Sequence, residues 1–311
     1  PGCRVFAMSE DMRAFYYGAD TKITFRIVDH KGNPAEGADV RITMSGGVKS
    51  LTDRKVTLHE KSNKKGQVIV ERKSTGSFRL RVKKEGYYRT YDRYSFPNTP
   101  DGAALEDGRW LPWNPTVDVL LKPQLNPVSM YIKSIERKEI PLFGKPVGYD
   151  FEVADWVAPF GKGKVTDLSF TFTGYLKDYW TGGSELVVSA PGPGAGIQIL
   201  KKDMVSDFKS VYQAPVDGYE KQIRFAFNRT KTEMIEDKRL QKDEYLVFRT
   251  RAKVDDQGNL VEACYGKIYP PLEFGPFQMD YEKSKGKIGF RFYFNPHGTR
   301  NLEHAWDKNL F

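Results

Sequence analysis

The sequence predicts an all-β chain: an N-terminal β-sandwich and a larger C-terminal β-sandwich-type domain with one or two short helices. Three observations carry that prediction. Apolar and polar residues alternate at period two along most of the length. Aromatics reach 14%, with 17 Tyr and 20 Phe, and 28 Gly with 18 Pro punctuate the alternation. Period-two alternation turns one apolar face to a core and one polar face to water. Aromatic and β-branched side chains suit that pleated surface. At 311 residues the chain can bury a core without disulfide staples.

Residues 1–20, with Phe15-Tyr16-Tyr17, read as a leading strand or as an arm laid on another part of the structure. Ile23, Phe25 and Ile27 then alternate with Lys22, Thr24 and Arg26 as the first clear strand. Asp29 to Pro34 is a turn, since Gly32 accepts a positive φ and Pro34 brings no N–H to a ladder. Val40, Ile42 and Met44 make the next strand, Val68 and Val70 follow the turn at 63–66, and Phe78, Leu80 and Val82 follow Gly76. Residues 92–116 are loop-like, and Val117, Val119 and Leu121 close the first domain. Two prolines, Pro123 and Pro127, stiffen the connection after it. The expected organisation is an arm and first sandwich over 1–122, a linker over 123–127, and a β-rich domain over 128–311.

In that second domain Val147, Tyr149, Phe151 and Val153 alternate, as do Leu168, Phe170 and Phe172, then Ile223, Phe225 and Phe227. Tyr245 to Phe248 is a continuous apolar run, and Ile288, Phe290, Phe292 and Phe294 form the last clear strand. Asp255 to Asn259 is a hairpin turn. Leu200, Met204, Phe208 and Val211 share one face at helical spacing, which predicts a short helix. The Glu/Lys-rich residues 231–242 predict another turn or two of helix. Residues 189–196 read as an exposed Gly/Pro loop.

The segment from Ile23 to Ile42 resembles the opening of carboxypeptidase-regulatory-like (transthyretin-like) domains. The matching residues are Asp29, Gly32, Pro34, Gly37, Ala38 and Val40, followed by Gly66 and Gly76 before later strands and by Lys84-Glu85-Gly86-Tyr87 at the close. The resemblance covers about residues 20–95. It implies a β-sandwich and is nearly silent on activity, because such domains are joined to many different proteins. The insertion Ser45–Glu60 departs from the compact pattern. Segments around Asp155, Cys264 and His297 resemble parts of uncharacterised secreted bacterial proteins, which implies an extracytoplasmic setting.

The net charge of +9 comes from 49 basic and 40 acidic side chains. The basic residues are scattered, so a solvated basic surface is expected rather than a nucleic-acid face. No apolar run of 18 residues exists, so no transmembrane helix is expected. The two cysteines, Cys3 and Cys264, are read either as a disulfide pair or as two free thiols. Lipidation at Cys3 is disfavoured by the residues before it.

Catalytic signatures are missing. There is no Gly-x-Ser-x-Gly elbow and no phosphate loop. The weak metal candidates His297 and His304 match no zinc spacing. Asp155, Asp167 and Glu273 stand near aromatics, as acids for glycoside chemistry would, but no pattern selects a pair. No cofactor and no catalytic residue is expected. Aromatic residues in loop-like sequence are the best functional hint: Trp110 and Trp113, and Tyr175, Tyr179 and Trp180 before Thr181-Gly182-Gly183. The leading expectation is a non-enzymatic secreted or surface protein acting by self-assembly or adhesion, with Val5, Phe6 and Met8 as an assembly arm. The alternative is a module for an extracellular, acidic polysaccharide, with Trp110, Trp113, Tyr179 and Trp180 as a stacking platform.

Overall fold

The computed structural model describes residues 8–46, 55–99, 102–203, 206–276 and 286–311. The chain divides into two compact units, Pro1–Leu125 with Met204–Lys209 and Asn126–Asp203 with Ser210–Phe311. Apart from one short helix, the regular structure among the described residues is β.

The first unit opens with α1 (Glu10–Tyr17), where a strand or an extended arm is expected from the sequence. Ser9 starts the helix by accepting the Met12 N–H on its Oγ at 3.3 Å. Glu10 docks it by accepting the Gly108 N–H at 2.6 Å. Ala14 turns inward, whereas Met8, Met12, Phe15, Tyr16 and Tyr17 are exposed. Of the expected assembly arm, Met8 is therefore a solvent-facing residue just before the helix, and Val5 and Phe6 lie outside the described residues.

The strands of this unit are β1 (Ala19–Val28), β2 (Asp39–Ser45), β3 (Lys55–Lys61), β4 (Gln67–Ser74), β5 (Ser77–Lys83) and β6 (Thr90–Ser95), then β7 (Asn98–Thr99), β8 (Gly102–Ala103), β9 (Leu105–Glu106), β10 (Arg109–Trp110) and β11 (Thr116–Leu120). One sheet runs β11-β1-β10-β9 with β4 also on β1, and the other runs β3-β2-β5-β6. Their facing sides bury Ile23, Phe25 and Ile27 of β1 against Val40 and Ile42 of β2 and Phe78 and Leu80 of β5. This is the sandwich that the alternation predicts. The turn at Asp29 closes as its sequence suggests: Oδ1 accepts Lys31 N at 2.8 Å and Asn33 N at 2.9 Å. Asp255 makes the same two bonds, to Gln257 N at 3.0 Å and Asn259 N at 2.7 Å.

The second unit contains β12 (Val128–Glu139), β13 (Val147–Asp150), β14 (Asp155–Trp156), β15 (Leu168–Leu176), β16 (Gly182–Ser189), β17 (Gly196–Lys201), β18 (Gln222–Arg229), β19 (Met234–Lys238), β20 (Glu244–Val254), β21 (Leu260–Pro276), β22 (Gly286–Asn295) and β23 (His304–Asn309). One sheet is ordered β17-β20-β21-β22-β12-β23 and the other β14-β13-β15-β16-β18-β19. Aromatic rings fill the space between them. Phe170 stacks on Phe290 at 5.7 Å and Phe151 on Phe248 at 4.6 Å. The first sheet is also covered on its other side, where Tyr245, Val247, Tyr265 and Tyr293 pack with Ala214 and Leu302. Burial on both faces explains why Tyr245 to Phe248 reads as a continuous apolar run instead of alternating.

Neither helix expected in this half is present among the described residues, and Met204 of the first lies outside them. Leu200 lies in β17, which is paired residue by residue with β20 from Gly196–Arg249 to Lys201–Glu244. Phe208 belongs to the first unit, where its ring meets Tyr88 at 5.0 Å. The helical spacing of Leu200 and Phe208 is thus a coincidence between a strand residue and a loop residue. In the 231–242 segment Thr230 and Glu233 close a tight turn by a 2.9 Å backbone bond, and the chain returns as β19 along β18. Ladder bonds to a strand already in place satisfy that backbone, so tertiary pairing overrides its Glu/Lys helix propensity.

Candidate functional site

The four aromatic residues singled out in the sequence divide between buried and exposed positions. Trp110 is only 6% exposed. Its indole Nε1 donates to Ser74 O at 2.9 Å, and its ring stacks on Phe96 at 5.7 Å. Gly76 provides the slot, since a Cβ there would stand 2.8 Å from the indole. Trp110 is therefore a core residue of the first unit and is withdrawn from the expected stacking platform. Trp113, 41% exposed, lies under the Arg109 guanidinium at 5.4 Å in the same unit.

Tyr179 and Trp180 belong to the second unit, at the tip of the hairpin joining β15 and β16, and are 68% and 53% exposed. Their rings meet edge to face at 4.8 Å. The backbone beneath them is pinned. Asp178 Oδ1 accepts the N–H groups of Trp180 at 2.8 Å and Thr181 at 2.7 Å. Those two N–H groups hold the Asp178 carboxyl below its ordinary range. Lys177 N donates to Thr181 O at 2.9 Å, and Arg229 Nη2 donates to Tyr179 O at 3.1 Å. The loop is a built one, and its internal polar bonds hold two large rings toward solvent.

Below the tip, the row Tyr175, Gly183, Asn228 and Glu236 crosses β15, β16, β18 and β19. Tyr175 leans over Gly183, where a Cβ would stand 3.0 Å from its Cε1, and its hydroxyl donates to Asn228 Oδ1 at 3.1 Å. On the same face Arg224 ties two strands together, donating to Glu185 at 2.6 Å and Glu236 at 2.9 Å. Glu236 and Glu185 in turn push the Arg224 guanidinium up. The site is an aromatic tip above a flat row of Asn, Glu and Arg side chains. Such a surface can stack on a ring and exchange hydrogen bonds with hydroxyl groups. Sequence reasoning named the rings, Tyr175 included, and missed Asn228, Glu185, Arg224 and Glu236 beneath them. Gly182 and Gly183 both lie in β16.

The acids near aromatics are committed elsewhere. Asp167 accepts Phe151 N at 2.9 Å, Thr250 Oγ1 at 3.2 Å and Arg251 Nε at 2.8 Å. Burial pushes this carboxyl up, against the pull of Arg251. Asp155 accepts Lys138 Nζ at 2.6 Å and Trp156 N at 2.9 Å. Both acids brace loops of the second unit, whereas Glu273 lines a cavity.

Of the weak metal candidates, His304 is buried with its Nδ1 3.4 Å from the ammonium of Lys267. Burial and that ammonium push its pKa down to about 2. A cationic neighbour at this distance opposes a metal ion, so His304 is a core histidine. His297 instead meets the Oγ and backbone O of Ser129, each at 3.2 Å. Among the described residues no group of three or more His, Cys, Asp or Glu side chains is placed to hold a metal ion. Cys264 is half-buried, with its Sγ 3.5 Å from Pro296 O, and its expected partner Cys3 lies outside the described residues. Among the described residues no helix is long and apolar enough to cross a membrane.

No family model matches the chain, and no curated protein does. The regulatory-like resemblance therefore rests on the turn and strand pattern of the first unit alone. Among solved structures, the chain is similar to catechol 1,2-dioxygenase of Acinetobacter sp. ADP1 at 12% identity and a TM-score of 0.25, over 35% of this chain and 54% of that one. It thus spans about half the length of the dioxygenase. It is similar to the shaft pilin of Lactobacillus rhamnosus GG at 12% identity and a TM-score of 0.23, over 86% of this chain and 97% of that one. For the major pilin subunit of Bacillus cereus the identity is 7% and the TM-score 0.24, over 89% and 85%. Likenesses of this size carry no argument about what the chain does.

Proposed function

We propose that the chain is a non-enzymatic, extracytoplasmic binding protein whose second unit takes a glycan on the β15–β16 hairpin. The observation that carries this reading is the exposure of Tyr179 and Trp180 on a loop whose own hydrogen bonds hold them out. Leaving a large apolar side chain in water forgoes about 1.5–3 kcal/mol of burial each. A pyranose restores part of it by laying its C–H face on the rings. Its hydroxyls reach Asn228 and the Glu185–Arg224–Glu236 bridge beside them. A glycan partner needs no catalytic acid, which fits the structural engagement of Asp155 and Asp167.

The test is a titration panel of cello-, xylo- and manno-oligosaccharides against the unaltered protein and the double variant Tyr179→Ala/Trp180→Ala. One class binds the unaltered protein, and the double variant loses about tenfold or more in affinity at unchanged melting temperature. Silence across the panel, or undiminished binding by the variant, sinks the reading.

Self-assembly is favoured by a separate observation. Among the described residues β19 pairs with β18 alone, and it carries exposed Met234 and Ile235. An edge strand with exposed apolar side chains at its start can take a strand of another copy. Particle mass measured over a wide concentration range tests this. Concentration-dependent oligomers that Ile235→Lys abolishes support it, and a monomer throughout removes it.

A further inference from the structure

A trough in the second unit lies away from the hairpin tip, and its origin is legible in the backbone. Pro270 and Pro271 bring no N–H groups to the β21–β22 ladder, whose register breaks between Tyr269 and Glu273. The neighbouring β12–β22 ladder breaks between Ile135 and Lys138, where Arg137 takes φ 48°. Two cavities open at these breaks, of about 610 and 220 Å³, and they share Glu273 and Phe274 in their linings. The larger is within the range that holds a small ligand or one or two sugar rings.

Charge is distributed unevenly along this trough. Lys202, Arg239 and Lys242 line the larger cavity, and Arg137 and Lys287 line the smaller. The linings also hold two carboxylates, Asp237 and Glu273, and the cations on which the site turns are Lys242 in the larger cavity and Arg137 in the smaller. Asp237 is neutralised by Arg239, whose Nε donates to it at 2.7 Å. Arg239 also covers the Phe227 ring at 5.5 Å, and Phe227 meets Phe274 at 5.8 Å. Phe227, Pro271 and Phe274 thus give the larger cavity apolar surface, and basic side chains line both cavities. Glu273 stands where the two cavities meet.

We propose that this trough is a second binding site, for a carboxylated glycan of the polyuronate class. Uronate carboxylates meet Lys242 and Arg137, the C–H faces of the rings meet Phe227 and Pro271, and ring hydroxyls donate to Glu273. An acidic peptide fits less well, because a bound strand needs backbone donors along the wall, which Pro270 and Pro271 withhold.

The test is equilibrium binding of oligogalacturonate, its methyl ester and poly-glutamate to the full chain and to the double variant Arg137→Glu/Lys242→Glu. Both altered side chains are exposed, so folding is retained, and far-ultraviolet circular dichroism checks this. Oligogalacturonate binds the unaltered protein, weakens with added salt, and loses about tenfold in the variant. The methyl ester binds at least about tenfold more weakly than the free acid. Oligogalacturonate binding that is lost with Tyr179→Ala/Trp180→Ala and kept with Arg137→Glu/Lys242→Glu assigns this ligand to the hairpin and overturns the proposal, so the trough and the hairpin stand or fall separately. The proposal is overturned if oligogalacturonate does not bind, if its methyl ester binds equally well, or if the charge-reversed variant binds undiminished. Poly-glutamate binding as tightly as oligogalacturonate overturns it in favour of an acidic peptide.

Discussion

Trp110 in the first unit and Tyr175 in the second use the same device, a large ring laid on a glycine in place of a side chain. Over Gly76 the Trp110 ring is closed in by Phe96 on its other face, and its N–H is taken by Ser74 O. Over Gly183 the Tyr175 ring keeps an exposed face, and its hydroxyl is taken by Asn228. A ring on a glycine thus becomes a core plug or a platform according to whether a second layer covers it. Among the described residues no such layer covers Tyr179 and Trp180, which are exposed.

The largest expected effect is on the covered ring. Trp110→Ala leaves a cavity over Gly76 and lowers the stability of the first unit by about 3–5 kcal/mol, measured by denaturant unfolding. Trp113→Ala, three residues further on, stays within about 0.5 kcal/mol. Equal effects of the two would break the distinction between plug and surface ring. Gly183→Val comes next. Its side chain displaces Tyr175 from the platform floor, which costs about 1 kcal/mol of stability and lowers oligosaccharide affinity about tenfold. A variant with full affinity would show that Tyr175 is no part of the platform.

A smaller effect is expected at Asn228. Asn228→Ala frees the Tyr175 ring without removing it, and affinity falls severalfold while the melting temperature holds. The pH dependence sharpens the same point. The Trp180 and Thr181 N–H groups hold Asp178 below its ordinary 3.8 in the folded chain. A depressed carboxyl contributes stability that is present above its unfolded value and lost as pH falls through the folded one. Glycan binding is therefore flat from neutral pH down to about 5 and weakens in acid below 3.8 as the hairpin loses its brace. Asp178→Asn gives weaker binding with a flatter acid limb.

Much of the fold was legible because alternation reports directly on burial. Ile23, Phe25 and Ile27, and Phe290, Phe292 and Phe294, are buried where period two places them. The helix expected from Leu200 to Val211 failed because spacing alone cannot tell a strand followed by a loop from a helix face. The burial of Trp110 was invisible because it depends on Gly76, which is 34 residues away in sequence. Tyr179 and Trp180 were legible as exposed rings because Thr181-Gly182-Gly183 marks the end of a loop. Asn228 was not, since only the β16–β18 register brings it beside Tyr175. The trough carried a signal that went unread: adjacent prolines at 270 and 271 inside a strand-like run announce a break in the ladder.

The measurement that tests the central claim most directly is fluorine NMR of the fluorotryptophan-labelled protein during titration with the oligosaccharide that binds best. Each resonance is assigned by a Trp→Phe variant. The predicted result is a saturable shift of the Trp180 signal, with Trp110 and Trp156, both buried, unmoved. A titration in which Trp180 stays still while binding proceeds would contradict the assignment of the hairpin as the glycan site.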